Sequence, residues 1–159
     1  MGITNQIEIF NDLIQINHDR ISNFQKAIEK LNDAGTDLQI MFQKLSGQCK
    51  TFNRELKKEV KKIGGHPMYS SVIAGRIFRK WTNLKATLRR TDKDSAISAC
   101  VQIEEAVKDA YTQAIESGDL NAAQLQVIRE QAGKQKNVRD RMKRVVASEA
   151  ASKQLIAEA

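Results

Sequence analysis

The chain reads as an all-α fold, a bundle of long antiparallel helices, and three observations predict it. Apolar residues recur at alternating steps of three and four from Ile3 to Leu31, interrupted at Asn17, and a like stripe runs from Leu38 through Leu56 to Ile63. A single proline among 159 residues leaves long helices unbroken. The balance of 41% apolar and 28% charged residues belongs to a globular chain rather than a disordered one. A domain of this size, taken as residues 1–159, is expected to bury roughly 70% of the surface its unfolded form exposes.

The first helix, over about 5–31, carries the stripe Ile3, Ile7, Phe10, Ile14, Asn17, Ile21, Phe24, Ile28 and Leu31, which only Asn17 interrupts. Asn32, Asp33 and Gly35 supply a turn, and Asp37 starts a second helix over about 37–63, marked by Leu38, Phe42, Leu45, Cys49, Phe52, Leu56 and Ile63. Gly64-Gly65-His66-Pro67 stops it, since glycine suits the left-handed position after a helix and proline cannot continue one. Ser70 and Ser71 are candidate caps for a shorter helix over 71–89 through Ile73, Ile77, Trp81, Leu84 and Leu88, which breaks off in Arg90-Thr91-Asp92-Lys93. A fourth helix, 94–116, has the seam Ile97, Cys100, Glu104, Val107, Tyr111 and Ala114 and ends at Ser117-Gly118-Asp119. The last, 121–150, follows Leu125, Ile128, Ala132, Gln135, Arg139, Met142 and Val146 and is expected to fray in the alanine-rich tail.

Short loops make each long pair antiparallel, and about 30 residues between the pairs suffice to cross the bundle from end to end. That is a ferritin-like connectivity: two antiparallel pairs joined by a crossover with its own shorter helix. A five-helix up-down bundle fits the same periodicity.

Leu13-Ile14-Gln15-Ile16-Asn17-His18-Asp19, Glu55-Leu56 with Gly64-Gly65-His66-Pro67, Trp81-Thr82-Asn83-Leu84-Lys85 and Glu104-Glu105-Ala106-Val107-Lys108-Asp109-Ala110-Tyr111 come in that order along the chain. In this set the sequence resembles a bacterial family of ferritin-like four-helix-bundle proteins of unknown function, over nearly its whole length. The resemblance implies the fold and raises the question of a di-iron centre. Such a centre needs a carboxylate from each of two helices and a Glu-x-x-His pair from each of the other two.

This chain contains no Glu-x-x-His, and its two histidines are His18 and His66. The seam instead offers Asn17, the Gln48-Cys49 region, Glu104, Gln135 and Arg139. A guanidinium in that layer repels a cation and matches a carboxylate in shape. The expectation is a buried polar layer of Asn17, Glu104, Gln135 and Arg139, with Glu104 and Arg139 paired, serving helix register rather than catalysis. On this reading no residue is catalytic and no cofactor is bound. The alternative is an iron-binding oxidoreductase with an atypical site at His18, Glu104 and Glu105. His18 otherwise reads as a surface histidine, and His66 as part of the helix-ending turn.

Charge is the remaining signal, at a formal net of +7. The most uneven stretch holds Arg76, Arg79, Lys80, Lys85, Arg89 and Arg90, a candidate polyanion site through counterion release. Low aromatic content argues against base stacking, so nonspecific nucleic-acid binding is a second alternative and is not favoured. Cys49 and Cys100 read as buried free thiols, with a disulfide between neighbouring helices as the other possibility. Gln6 stands where a myristoylation signal wants Ser or Thr, and no membrane-length apolar run occurs. The chain reads as a cytoplasmic, self-associating structural or interaction module, leaning away from an enzyme, with its protein partner unspecified.

Overall fold

Each long helix buries the face its periodicity marks. The computed structural model describes residues 2–31, 37–67, 75–88 and 93–158 and contains α1 (Ile3–Leu31), α2 (Asp37–Lys62), α3 (Arg76–Lys85), α4 (Lys93–Glu116) and α5 (Ala122–Glu158). The turn expected at Asn32, Asp33 and Gly35, the caps Ser70 and Ser71, and Arg89 and Arg90 lie outside the described residues.

Cross-links between helices show the directions. Asn53 Nδ2 donates to the Ile14 carbonyl at 3.2 Å and Asn11 Nδ2 to the His66 carbonyl at 3.2 Å, so α2 descends as α1 rises. Asn5 meets Asp119, Asn17 meets Tyr111 and Arg20 meets Glu104, so α4 also runs against α1. Tyr111 with Gln131, and Glu105 with Arg139, set α5 against α4. The four long helices thus form a square in the order α1, α2, α5, α4, and α3 runs alongside α1 in the groove between α1 and α4. Two antiparallel pairs with an end-to-end crossover result.

The helix ends follow from local sequence. Gly64 has φ 79°, its N–H reaches the Lys61 carbonyl, and the Gly65 N–H reaches the Val60 carbonyl at 2.9 Å, which closes α2 in a left-handed C-cap. Gly118, φ 77°, follows the end of α4 in the same conformation. Asn121 and Gln124 exchange hydrogen bonds, each 2.9 Å, in a capping box that opens α5.

Two expected boundaries differ. Among the described residues the crossover helix occupies Arg76–Lys85 and has left the helix by 86–88, short of the expected end at 89, and Asp12 of α1 accepts N–H groups at its start. The last helix continues to Glu158 instead of fraying at 150, as alanine-rich sequence holds helix well.

Two apolar clusters fill the square. One gathers Phe10, Leu13, Ile14, Leu56, Trp81, Val107 and Ile128; the other gathers Phe24, Leu38, Phe42, Cys49, Cys100 and Met142. Phe24 and Phe42 stack with ring centroids 5.6 Å apart. Each fully buried large side chain contributes about 1.5–3 kcal/mol. Residues 9–17 of α1 are buried on every face, because α2, α4 and α3 surround it on three sides. Among the described residues no helix is long and apolar enough to cross a membrane.

Candidate functional site

Between the two clusters lies a layer of polar side chains from all four long helices. Asn17 and Arg20 come from one face of α1, three residues apart, and Glu104 and Tyr111 from α4. Arg20 is wholly buried and Glu104 nearly so. The guanidinium meets the carboxylate with two parallel bonds, Nε to Oε2 at 2.9 Å and Nη2 to Oε1 at 2.5 Å. Its Nη1 donates to Asn17 Oδ1 at 2.7 Å, and Asn17 Nδ2 donates to the Tyr111 hydroxyl at 3.1 Å. That hydroxyl donates in turn to Gln131 Oε1 at 2.7 Å, and Gln131 Nε2 donates to Glu55 Oε1 at 3.0 Å and to the Phe52 carbonyl at 3.3 Å. A continuous hydrogen-bonded chain therefore runs from the centre of the bundle to the partly exposed Glu55.

The electrostatics follow from burial. Burial works against the Arg20 charge, yet the anionic surroundings hold its pKa above the ordinary value. Burial also pushes the neighbouring Cys49 thiol up to about 12 despite Arg20. Cys49 is therefore protonated at neutral pH, which leaves Glu104 as the counter-charge and makes the thiol a poor nucleophile. Tyr111 is likewise pushed up to about 12 by burial, with Asn17, Arg20 and Gln135 pulling the other way. Both cysteines are free and buried, so no disulfide joins them.

Asn17, Glu104, Gln135 and Arg139 are all buried, but the pairing differs from the expected one. Glu104 faces α1 and gives both oxygens to Arg20, so it does not pair with Arg139. Arg139 meets the next residue on α4, Glu105, at 3.9 Å, and Lys143 forms a closer ion pair with the same carboxylate. One step along a helix turns a side chain by about 100°, which carries 105 toward α5 while 104 points at α1. Gln135 is buried beside Tyr111.

The alternative metal set does not assemble. His18 is exposed, Glu104 is committed to Arg20, and Glu105 faces α5. Among the described residues no three His, Cys, Asp or Glu side chains are placed to hold a metal ion. The donor set at the bundle centre does not fit a di-iron centre either: it holds one carboxylate, and a cation already occupies it. Of the candidate polyanion residues, Arg76, Arg79 and Lys80 are exposed on α3, while Lys85 forms an ion pair with Asp19 at 2.7 Å.

A second polar set docks the crossover helix. Asp12 on α1 accepts the backbone N–H groups of Gly75 at 2.9 Å and Phe78 at 3.2 Å, and so caps α3 from another element. A β-carbon at Gly75 would run into the Asp12 carboxylate and the Glu8 side chain, so only glycine allows this approach. Two turns further along α1, Asp19 Oδ2 accepts from Trp81 Nε1 at 3.0 Å and pairs with Lys85. Two carboxylates thus hold the two ends of α3.

Burial raises the Asp12 carboxyl to about 6, against the opposing pull of the α3 backbone N–H groups. Since the folded pKa lies above the unfolded 3.8, the folded state holds the proton more tightly. The stability this adds is fully present below about pH 4 and is lost as pH rises through about 6. Urea unfolding is expected to show wild type losing stability relative to Asp12→Asn across that interval, and a constant difference would contradict it.

The fold and this core define a ferritin-like helical bundle whose centre is an ion pair in a hydrogen-bonded polar layer. A dodecameric thioferritin of Bacteroides fragilis, a bacterioferritin-related protein, superposes with a TM-score of 0.76 over 97% of this chain and 91% of its own, at 11% identity. The chain belongs to the family described as a domain of unknown function (DUF2383), whose model matches residues 5–117. No curated protein sequence matches it.

Proposed function

We propose that this protein is a metal-free, non-catalytic ferritin-like bundle that works as a structural or protein-interaction module. The observation that carries the reading is the Arg20 guanidinium seated on both oxygens of Glu104, deep in the layer where such bundles place their metals. A fixed cation there satisfies the carboxylate and raises the cost of bringing in another positive charge. Burial keeps the Cys49 thiol protonated and so not poised for chemistry, and Tyr111 stays protonated within its hydrogen bonds. The buried layer specifies which helix faces meet, as polar groups do when placed inside apolar seams.

Function then resides on the outer surface, in the cytoplasm, with self-association as part of it. Leu155 and Ile156, 69% and 78% exposed near the end of α5, provide an apolar surface for a second copy, and the dodecameric assembly of the thioferritin is consistent with the fold supporting oligomers. The test is ferrous iron oxidation in air. The protein is expected to leave the uncatalysed rate unchanged, and an acceleration that saturates with iron would overturn the proposal.

A further inference from the structure

The distribution of charge over the bundle is lopsided. α1 and α4 together hold five Lys and Arg against nine Asp and Glu, whereas α2 and α5 hold fifteen against seven. The groove between α1 and α4 is covered by α3, which has four cations and no anion. It turns Ile77, Phe78 and Trp81 inward and pairs Lys85 with Asp19. The molecule thus displays the kind of segment such a groove accepts: a short amphipathic helix with charge opposite to its bed.

The opposite groove, between α2 and α5, has the same form and no helix over it among the described residues. Its floor is Met41, Leu45, Val138 and Val145, and Ile40, 43% exposed, stands at its lip. Lys44 and Arg141 line it as exposed cations, and Asp37 sits at one end. The cavity holds about 310 Å³. From Asp37 to Gln48 it spans roughly three helical turns, close to the length of α3.

We propose that the α2–α5 groove is a docking site for an acidic amphipathic helix of a partner protein. The inference rests on reading the bundle as an interaction module and adds the chemistry of its partner. An aliphatic floor buries apolar side chains of a helix at i, i+3, i+4 and i+7, while Lys44 and Arg141 pair with flanking carboxylates. Nucleic acid would use the cations but not the floor, and no aromatic ring lines the groove for base stacking. A second copy offers less, because its acidic α1–α4 groove is already covered by α3.

The test is fluorescence anisotropy with a labelled amphipathic peptide of about fourteen residues, leucines on one face and glutamates beside them. A charge-inverted lysine peptide and a duplex DNA oligonucleotide serve as the other probes. Saturable binding of the acidic peptide is expected, about tenfold or more tighter than the lysine peptide. The variant Lys44→Glu/Arg141→Glu, and separately Ile40→Glu, should weaken it by about tenfold while leaving the melting temperature unchanged. Hydrogen-exchange protection by the peptide should fall on 37–48 and 138–145.

Absence of saturable peptide binding, or equal binding of the two peptides, overturns the proposal. DNA binding that is lost in the double variant, without peptide binding, would make the face a polyanion surface instead. Dissociation of an oligomer by Ile40→Glu would assign the groove to a second copy. Bound iron would overturn the metal-free reading, and the peptide titration would still decide the groove by itself.

Discussion

Arg20→Ala is expected to lower the melting temperature by roughly 10 °C or more, corresponding to about 3–5 kcal/mol for a carboxylate left buried without its partner. Glu104 would lose both its charge-assisted bonds, and Asn17 Oδ1 would lose its donor. Glu104 is almost wholly buried, so its carboxylate would be left without the charge that offsets its removal from solvent. The paired replacement Arg20→Met/Glu104→Leu removes both charges at once and should be far milder, since apolar substitutes of similar volume often match a buried ion pair. Circular dichroism melts of the two variants separate a coupled pair from independent packing. A mild effect of Arg20→Ala alone would mean that Glu104 is not committed to it.

Trp81→Ala should cost about 3–5 kcal/mol, borne mainly by the crossover helix. The indole is buried between α3 and the bundle, and its Nε1–H reaches Asp19. With ten residues, α3 is too short to persist without docking. Hydrogen exchange is therefore expected to quicken throughout 76–85 while α2 and α5 keep their protection. Trp81→Phe retains most of the apolar area and loses the hydrogen bond, a cost of about 1 kcal/mol. Unchanged exchange of α3 in Trp81→Ala would show that Asp12, Asp19 and the buried Ile77 and Phe78 hold it without the indole.

What was legible in the sequence follows from what periodicity records. The stripe from Phe10 to Leu31 and the seam from Leu38 to Leu56 each describe one apolar face, and those faces meet in the bundle. α1 buries a second face as well, and that face is polar: Asn11 and Asp12 are solvent-facing by type, yet Asp12 holds the crossover helix and Asn11 the turn after α2. Asp12 caps a helix more than sixty residues away, and no local pattern announces a cap supplied across the fold.

Arg20 is hard to read from sequence because a single arginine beside an apolar stripe usually marks the exposed flank of a helix. One signal was present. Asn17, the interruption in the stripe, stands three residues before Arg20 and therefore on the same side of the helix. A polar seam residue with a guanidinium one turn away indicates that the interruption continues inward. Glu104 was legible from its seam position, but its partner was not, because choosing between Arg20 and Arg139 requires knowing which neighbouring helix residue 104 faces.

Metal content per chain tests whether the Arg20–Glu104 pair stands in the place where ferritin-like bundles hold metal. Anaerobic exposure to ferrous iron, desalting and elemental analysis should leave iron far below stoichiometric. About two irons retained per chain, the content of a di-iron bundle, would contradict the account.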